Sequence, residues 1–359
     1  MNRLLQHKAE TLNQLSVLCG VPIRSTKVEK ARSLLHTINF YLRLPPTLDL
    51  VAIDIGIKNF SYCKITAFDV ATFSPTSLPL KVSFNSWKTI NLTEKYPPNG
   101  DFDKFNRYGS FDYNDLLHDK YYLSYLNYRV FQELFTPNQH HLNVVLIETQ
   151  RTKSNNNKVT LPNILGNYHF ENLFYAQMLR TTLESKQPLE SLLLPMNSNK
   201  MTSFTINRFL DKVHINSANS KKLRLRFFIH LVNKGILQLD SSLSLPTDSR
   251  KLLAFYNSRE PIKIKKLDDL FDSFLYNFNF MYNYSNSVCL HHYLQKEKDL
   301  DELVHLLNYD QLTNLHDLFT NENYSLNSSF ADFHEGVSRP TFDIDRTLWE
   351  LEPLVNDIE

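Results

Sequence analysis

The stretch that most constrains this chain is Leu50 to Ile65, LVAIDIGIKNFSYCKI, because it sets one carboxylate inside an apolar run. Val51, Ala52 and Ile53 precede Asp54, and Ile55, Gly56 and Ile57 follow it. The β-branched run predicts a buried strand that continues into a hairpin. A carboxylate at such a position is costly unless it is paired, hydrogen-bonded or bound to a metal. Gly56 lets the backbone bend, or approach a ligand, just past the acid. Asp54 therefore either caps a turn at the strand end or serves as a metal ligand, and two later segments favour the second.

At 359 residues the chain has room for one large or two smaller domains with a well-buried core. Its formal net charge of +1 excludes nothing. The distribution is more informative. Residues 286–359 hold 15 acidic and 4 basic side chains, whereas residues 151–235 hold 13 basic and 4 acidic ones. A basic centre beside an acidic tail is expected of a protein with one face towards a polyanion, although a solvated basic surface has the same composition. Cys19, Cys63 and Cys289 lie far apart with no C-x-x-C spacing, which argues for a reducing compartment and against a disulfide framework or zinc site. No apolar run approaches the ~20 residues of a membrane span. The N-terminal MNRLLQHKAETLNQL places Arg3, His7 and Lys8 on an amphipathic helix, and Glu10 weakens its reading as a transit peptide.

In chain order, Leu12, Leu15 and Leu18 share a helical face that stops at Gly20, a C-terminal cap. Thr26 caps a second helix carrying Ala31, Leu34 and Leu35. This helical hairpin, with Arg24 and Lys27 at the second N-terminus, resembles a SAP motif, a small DNA-binding unit; an ordinary hairpin packed on the main domain has the same pattern. Leu44-Pro45-Pro46-Thr47 marks a linker. Strands are expected over 50–56, 60–66 and about 80–91 as an antiparallel meander, then a helix over 114–135, a strand over 144–147, a helix over 161–184 and a short strand over 192–195. Further helices are expected over 205–215, over 220–233 with Lys221 and Lys222, and over 262–284. Phe170, Leu173, Phe174, Tyr175 and Met178 make the 161–184 helix a candidate for either core or a subunit interface.

The second segment is Asn143 to Ser154, NVVLIETQRTKS. A buried strand ends at Glu148, and Gln150, Arg151 and Lys153 follow in a polar loop suited to phosphate. The third runs from Ile262 to Tyr284. Leu267, Leu270, Phe271, Phe274 and Phe278 form one helical face, with Asp268, Asp269 and Asp272 in the first turns and Lys265 and Lys266 upstream. Acids there favour the helix dipole in any case. At ~100° per residue Asp268 and Asp272 border the apolar face and Asp269 points further out. An Asp on one strand, a Glu on another and an acidic pair on a late helix offer the oxygen ligands hard divalent cations require. Two such cations ~4 Å apart support phosphodiester hydrolysis. No H-E-x-x-H spacing and no G-x-x-x-x-G-K-[ST] phosphate loop competes.

The segments AIDIGIKNF, LIETQRTKS and KKLDDLFDS, in this order, resemble the three motifs of the fungal mitochondrial Holliday junction resolvases, cruciform-cutting endonucleases of the RuvC-like branch of the ribonuclease H superfamily. The resemblance spans roughly residues 10–285 and includes the SAP-like hairpin. It implies an α/β fold, a ribonuclease H-like mixed sheet flanked by helices, behind a hairpin at 1–44, with the catalytic domain at 48–285 and an acidic helical extension at 286–359. It implies Asp54, Glu148 and Asp272 as core metal ligands, with Asp268 or Asp269 as the fourth. Lys265 and Lys266 stand one position away from the family's usual lysines, because Leu267 occupies the place of one. Asn59, Gln150, Arg151, Lys153, Lys221, Lys222, Lys265, Lys266, Arg24 and Lys27 would contact DNA. The implied protein is a mitochondrial homodimer that cuts four-way DNA junctions with Mg²⁺, Mn²⁺ substituting, without membrane attachment or small-molecule cofactor. The alternatives are a non-catalytic junction- or nucleic-acid-binding protein on the same fold, and a ribonuclease or exonuclease of the same superfamily.

Overall fold

The computed structural model describes residues 1–45, 47–69, 80–82, 84–98, 101–104, 120–135, 142–150, 162–184, 191–239 and 267–336. Three helices open the chain: α1 (Asn2–Gln6), α2 (Ala9–Leu18) and α3 (Lys27–Leu42). Strands β1 (Thr47–Asp54), β2 (Phe60–Asp69), β3 (Leu80–Val82) and β4 (Phe84–Ile90) follow, then α4 (Leu92–Lys95), α5 (Lys120–Leu134), β5 (Leu142–Glu148), α6 (Pro162–Glu184) and β6 (Ser191–Met196). The rest comprises α7 (Ser198–Thr205), α8 (Ser217–Asn233), β7 (Leu237–Leu239), α9 (Leu267–Gln295), α10 (Leu300–Thr313) and α11 (His316–Asn321).

The main sheet has the order β4-β2-β1-β5-β6. β1, β2 and β4 form the expected antiparallel meander, while β5 and β6 run parallel to β1. A strand buried on both faces explains the continuous apolar run of β1. Alternation sends Leu48, Leu50 and Ala52 to one face, where they join α9 and the N-terminal helices in a single core. Val51 and Ile53 go to the other face, against α5 and α6. Register pairs Leu50 with Val144 and Ile53 with Ile147, so β5 alternates in step with β1.

The hairpin forms as its sequence requires. The Thr26 side chain accepts from Glu29 N–H while Glu29 accepts from Thr26 N–H, a reciprocal cap worth about 1 kcal/mol. Gly20 ends the first helix with φ +70, and a Cβ there would sit 2.3 Å from the Asn283 side chain. The hairpin is not set apart by the prolines, because Leu12, Leu15, Leu18, Leu34, Leu35 and Ile38 belong to the α9 core.

Several expectations are corrected. The segment around 80–91 makes two strands, with β3 paired to β7 in a second sheet. The 205–215 helix is replaced by 3₁₀ turns at Asn207–Phe209 and Lys212–His214. Residues 325–327 take that backbone's hydrogen bonds instead: Asp211 N–H reaches Ser325 O at 3.0 Å and Asn327 N–H reaches Phe209 O at 3.0 Å. α9 continues to Gln295, so the boundary set after residue 285 falls inside one helix. α10 also packs into the main core through Leu303, Leu307 and Leu312. Phe170, Phe174 and Met178 are core rather than interface, with Phe174 against Phe131 and Phe135. The start of the 114–135 helix lies outside the described residues.

Candidate metal centre

The centre lies where β1 and β5 end. Asp54 follows Ala52 by two, and Glu148 follows Leu146 by two, so alternation turns both carboxylates towards the α9 face. Their strands are adjacent and in register, and the two carboxyl groups come within hydrogen-bonding reach of each other. Past Asp54 the chain turns at once. Asn59 N–H donates to Gly56 O at 3.0 Å, and a Cβ on Gly56 would meet Asn59 O at 3.0 Å. That close approach accounts for the glycine.

α9 carries the third and fourth acids. Its start is tied to the sheet by Trp87 Nε1–H donating to Leu270 O at 2.8 Å, and its middle by Asn277 Nδ2–H donating to Cys63 O at 3.0 Å. Between these fastenings Asp272 is buried, and Asp269, one residue before the first, is half-buried. Burial first, then Glu148, then Asp272 and Asp269, push the Asp54 carboxyl well above the usual carboxylate range. Asp269 thus takes part electrostatically, while the side chain of Asp268 lies outside the described residues. A buried carboxylate acted on by three further acids requires protons or cations nearby, and an all-oxygen donor set has the chemistry that hard divalent ions take. The residues present fit such a metal.

Sequence reading missed three side chains here. Arg224 of α8 is buried and forms an ion pair with Asp272. Tyr276 is fully buried one turn beyond Asp272, its phenol pushed up by burial and then by Glu148, Asp54 and Asp272. Glu171 of α6 is buried near Glu148. The one sequence signal was Arg224, standing in the basic run of α8; nothing local distinguishes Glu171 or Tyr276 from other edge residues of a helix.

The expected DNA contacts are scattered. Asn59 lies in the turn after Asp54, and Gln150 Nε2–H donates to Glu148 Oε2 at 3.1 Å. Arg151, Lys153, Lys265 and Lys266 lie outside the described residues. Lys221 is exposed on α8, and Lys222 pairs with Glu322 at 2.8 Å. Arg24 is exposed and Lys27 half-exposed at the start of α3. Among the described residues, the groups that bring three ligand atoms within 4.8 Å of one another are His7 with Asp299 and Asp301, and His316 with Asp317 and Glu335; the carboxylates around Asp54 are not drawn that close together. Asp299 caps α10, and Asp317 pairs with Lys234, so each already has a structural task.

The profile of the family described as mitochondrial resolvase Ydc2 / RNA splicing MRS1 matches residues 50–288. The chain belongs to this family. The Ydc2 family match runs from the β1 run to the last part of α9, so it includes Asp54, Glu148, Asp269 and Asp272. The crystal structure of the yeast mitochondrial Holliday junction resolvase Ydc2 superposes with a TM-score of 0.52 at 22% identity, covering 80% of this chain and 98% of that one. The fold is therefore the expected ribonuclease H-like one, a mixed sheet flanked by helices. No curated protein sequence matches the chain.

Proposed function

We propose that the chain is a divalent-metal-dependent endonuclease that resolves four-way DNA junctions by paired symmetric nicks, in mitochondrial DNA recombination. The observation that carries this reading is the set of acids Glu148, Asp269 and Asp272 acting electrostatically on the buried Asp54 in a member of the resolvase family. A protein that only binds nucleic acid has no need to hold a buried carboxylate against three others.

In this reading Asp54 and Glu148 are the fixed floor of the site, held by the sheet. Asp272, held by Arg224, closes it from α9, with Asp269 or Asp268 as fourth ligand. Mg²⁺ is the expected metal, with Mn²⁺ able to substitute. When bound, the cations activate the attacking water and stabilise the leaving oxygen. Gln150 holds Glu148 in place, Asn59 stands in the turn after Asp54 where a backbone phosphate would lie, and Arg151 and Lys153, outside the described residues, are expected to add phosphate contacts. Arg24 and Lys27, at the capped start of α3, offer a separate phosphate contact. Two copies related by a twofold axis would match the two strands to be cut.

The family's description also names an RNA-splicing protein, so the competing reading is a nucleic-acid-binding function without cleavage. The purified chain is assayed with Mg²⁺ on four-way junctions, linear duplexes and RNA–DNA hybrids. Paired nicks confined to junctions support the proposal. Binding without cutting supports the alternative, and cutting of hybrids or duplex ends points to a ribonuclease or exonuclease.

A further inference from the structure

α6 packs on the opposite side of the sheet from α9, yet two of its polar side chains reach the backbone just beyond the two strand-end acids. Asn167 Oδ1 accepts from Ile57 N–H at 3.3 Å, three residues after Asp54. Glu171 Oε2 accepts from Gln150 N–H at 2.8 Å, two residues after Glu148. Gln150 in turn donates Nε2–H to Glu148 Oε2 at 3.1 Å. Asn167 and Glu171 are four residues apart, so they stand one turn above the other on one face of the helix.

Glu171 is a costly residue for that place. It is 6% exposed, and its neighbours in sequence and one turn on, Phe170 and Phe174, are fully buried. Burial pushes its carboxyl up and Glu148 adds to this, while the Gln150 N–H opposes it. An apolar residue would pack there without that penalty. Among the described residues, its hydrogen bond goes to the loop that follows Glu148.

We infer that Asn167 and Glu171 form a positioning clamp: one helix fixes the loops after Asp54 and Glu148 at a set separation, and Glu171, through Gln150, orients the Glu148 carboxylate for metal. Neither clamp residue need touch metal or DNA. The inference rests on the proposed metal site but not on the nature of the DNA substrate.

The test uses the full chain and the variants E171A, E171Q, N167A and Q150A. Mn²⁺ binding is read by calorimetry without DNA, and the Mg²⁺ midpoint of junction nicking is read alongside it. E171A is expected to weaken Mn²⁺ and raise the Mg²⁺ midpoint ~10-fold or more, and N167A and Q150A to do so ~3-fold. E171Q restores most of the loss, because an amide oxygen still accepts from Gln150 N–H. Junction affinity in metal-free buffer stays near that of the unmodified chain in E171A, E171Q and N167A, whose altered side chains are not among the expected DNA contacts. If E171Q binds metal as poorly as E171A, Glu171 is itself a ligand and the clamp is overturned. Should E171A not fold, Q150A decides, and unchanged metal affinity in Q150A overturns the inference. An unmodified chain that binds Mn²⁺ but cuts no junction overturns the substrate reading alone, since the calorimetric order of the variants still reads the clamp.

Discussion

At the scale of single residues, Asp54 does the most with the least freedom. It is 9% exposed, in hydrogen-bonding reach of Glu148, and its carboxyl is pushed up. An unfolded aspartate titrates near about 3.9. Between that value and the raised folded one, the unfolded chain binds fewer protons, so metal-free stability falls as pH rises through the window. Saturating Mg²⁺ is expected to reverse that fall at neutral pH, because it binds the ionised form. Thermal unfolding from pH 4 to 8, with and without Mg²⁺, measures this, and a flat metal-free profile would contradict it. Asp54→Asn keeps the shape and removes the charge. It is expected to abolish cleavage, preserve junction binding and flatten the pH profile; cutting near the normal rate with Mg²⁺ would refute the metal assignment. Arg224 is the complementary case. Removing one partner of a buried ion pair costs about 3–5 kcal/mol, so Arg224→Ala is expected to lower stability far more than loss of an exposed lysine on the same helix. Chemical denaturation of Arg224→Ala beside Lys221→Ala gives that comparison.

At the scale of elements, the N-terminal hairpin shows why a recognisable motif need not be an independent unit. Its caps are local and legible: Thr26 with Glu29, and Gly20 after α2. Its leucines, however, share a core with α9. Deleting residues 1–44 is therefore expected to abolish the cooperative unfolding transition, rather than leave a catalytic domain intact. Circular dichroism of the truncated chain checks this. Arg24 and Lys27 are better tested in place, where Arg24→Ala with Lys27→Ala should weaken junction binding without altering the melt. Gly20→Ala meets two obstacles at once, a positive φ and the Asn283 side chain, and should cost about 1–3 kcal/mol.

At the scale of the whole molecule, the charge asymmetry is partly spent inside the fold. Glu322 pairs with Lys222 and Arg226, and Asp317 with Lys234, so the acidic C-terminal region neutralises part of the basic α8. Junction affinity should still fall steeply with salt if Arg151 and Lys153 contact phosphate, and replacing both should flatten the slope. An unchanged slope would locate the DNA elsewhere. Pairing of two copies cannot use Phe174, which is fully buried, and Phe174→Glu is expected to unfold the chain rather than yield a monomer. α6 instead exposes Leu179 and Leu183, the latter at 74%. If the proposed pairing of two copies uses this face, a Leu179→Glu, Leu183→Glu chain halves the mass seen by light scattering; an unchanged mass removes this face from the contact.

The local elements were readable in the sequence because their causes are local. The Asp54 run, the strand ending at Glu148, the leucine faces and the caps each follow from period, propensity and one or two neighbours. The acids were readable because a carboxylate in an apolar strand contradicts its surroundings. Tertiary structure alone decided the remainder. Residues 325–327 took the hydrogen bonds that a helix at 205–215 would have made for itself. The packing of α9 joined the hairpin to the core, and the sheet's register turned Asp54 and Glu148 to the same face. Arg224, Tyr276, Asn167 and Glu171 acquire meaning only from partners 21 or more positions away or from a buried field, as with Arg224 and Asp272, 48 apart, or Asn167 and Ile57, 110 apart. Glu171 is the nearest case, at 21 residues from Gln150, and even there a loop and a helix must close before the contact exists. Periodicity reports which face of an element is buried; it carries no information on which distant backbone group that face will meet.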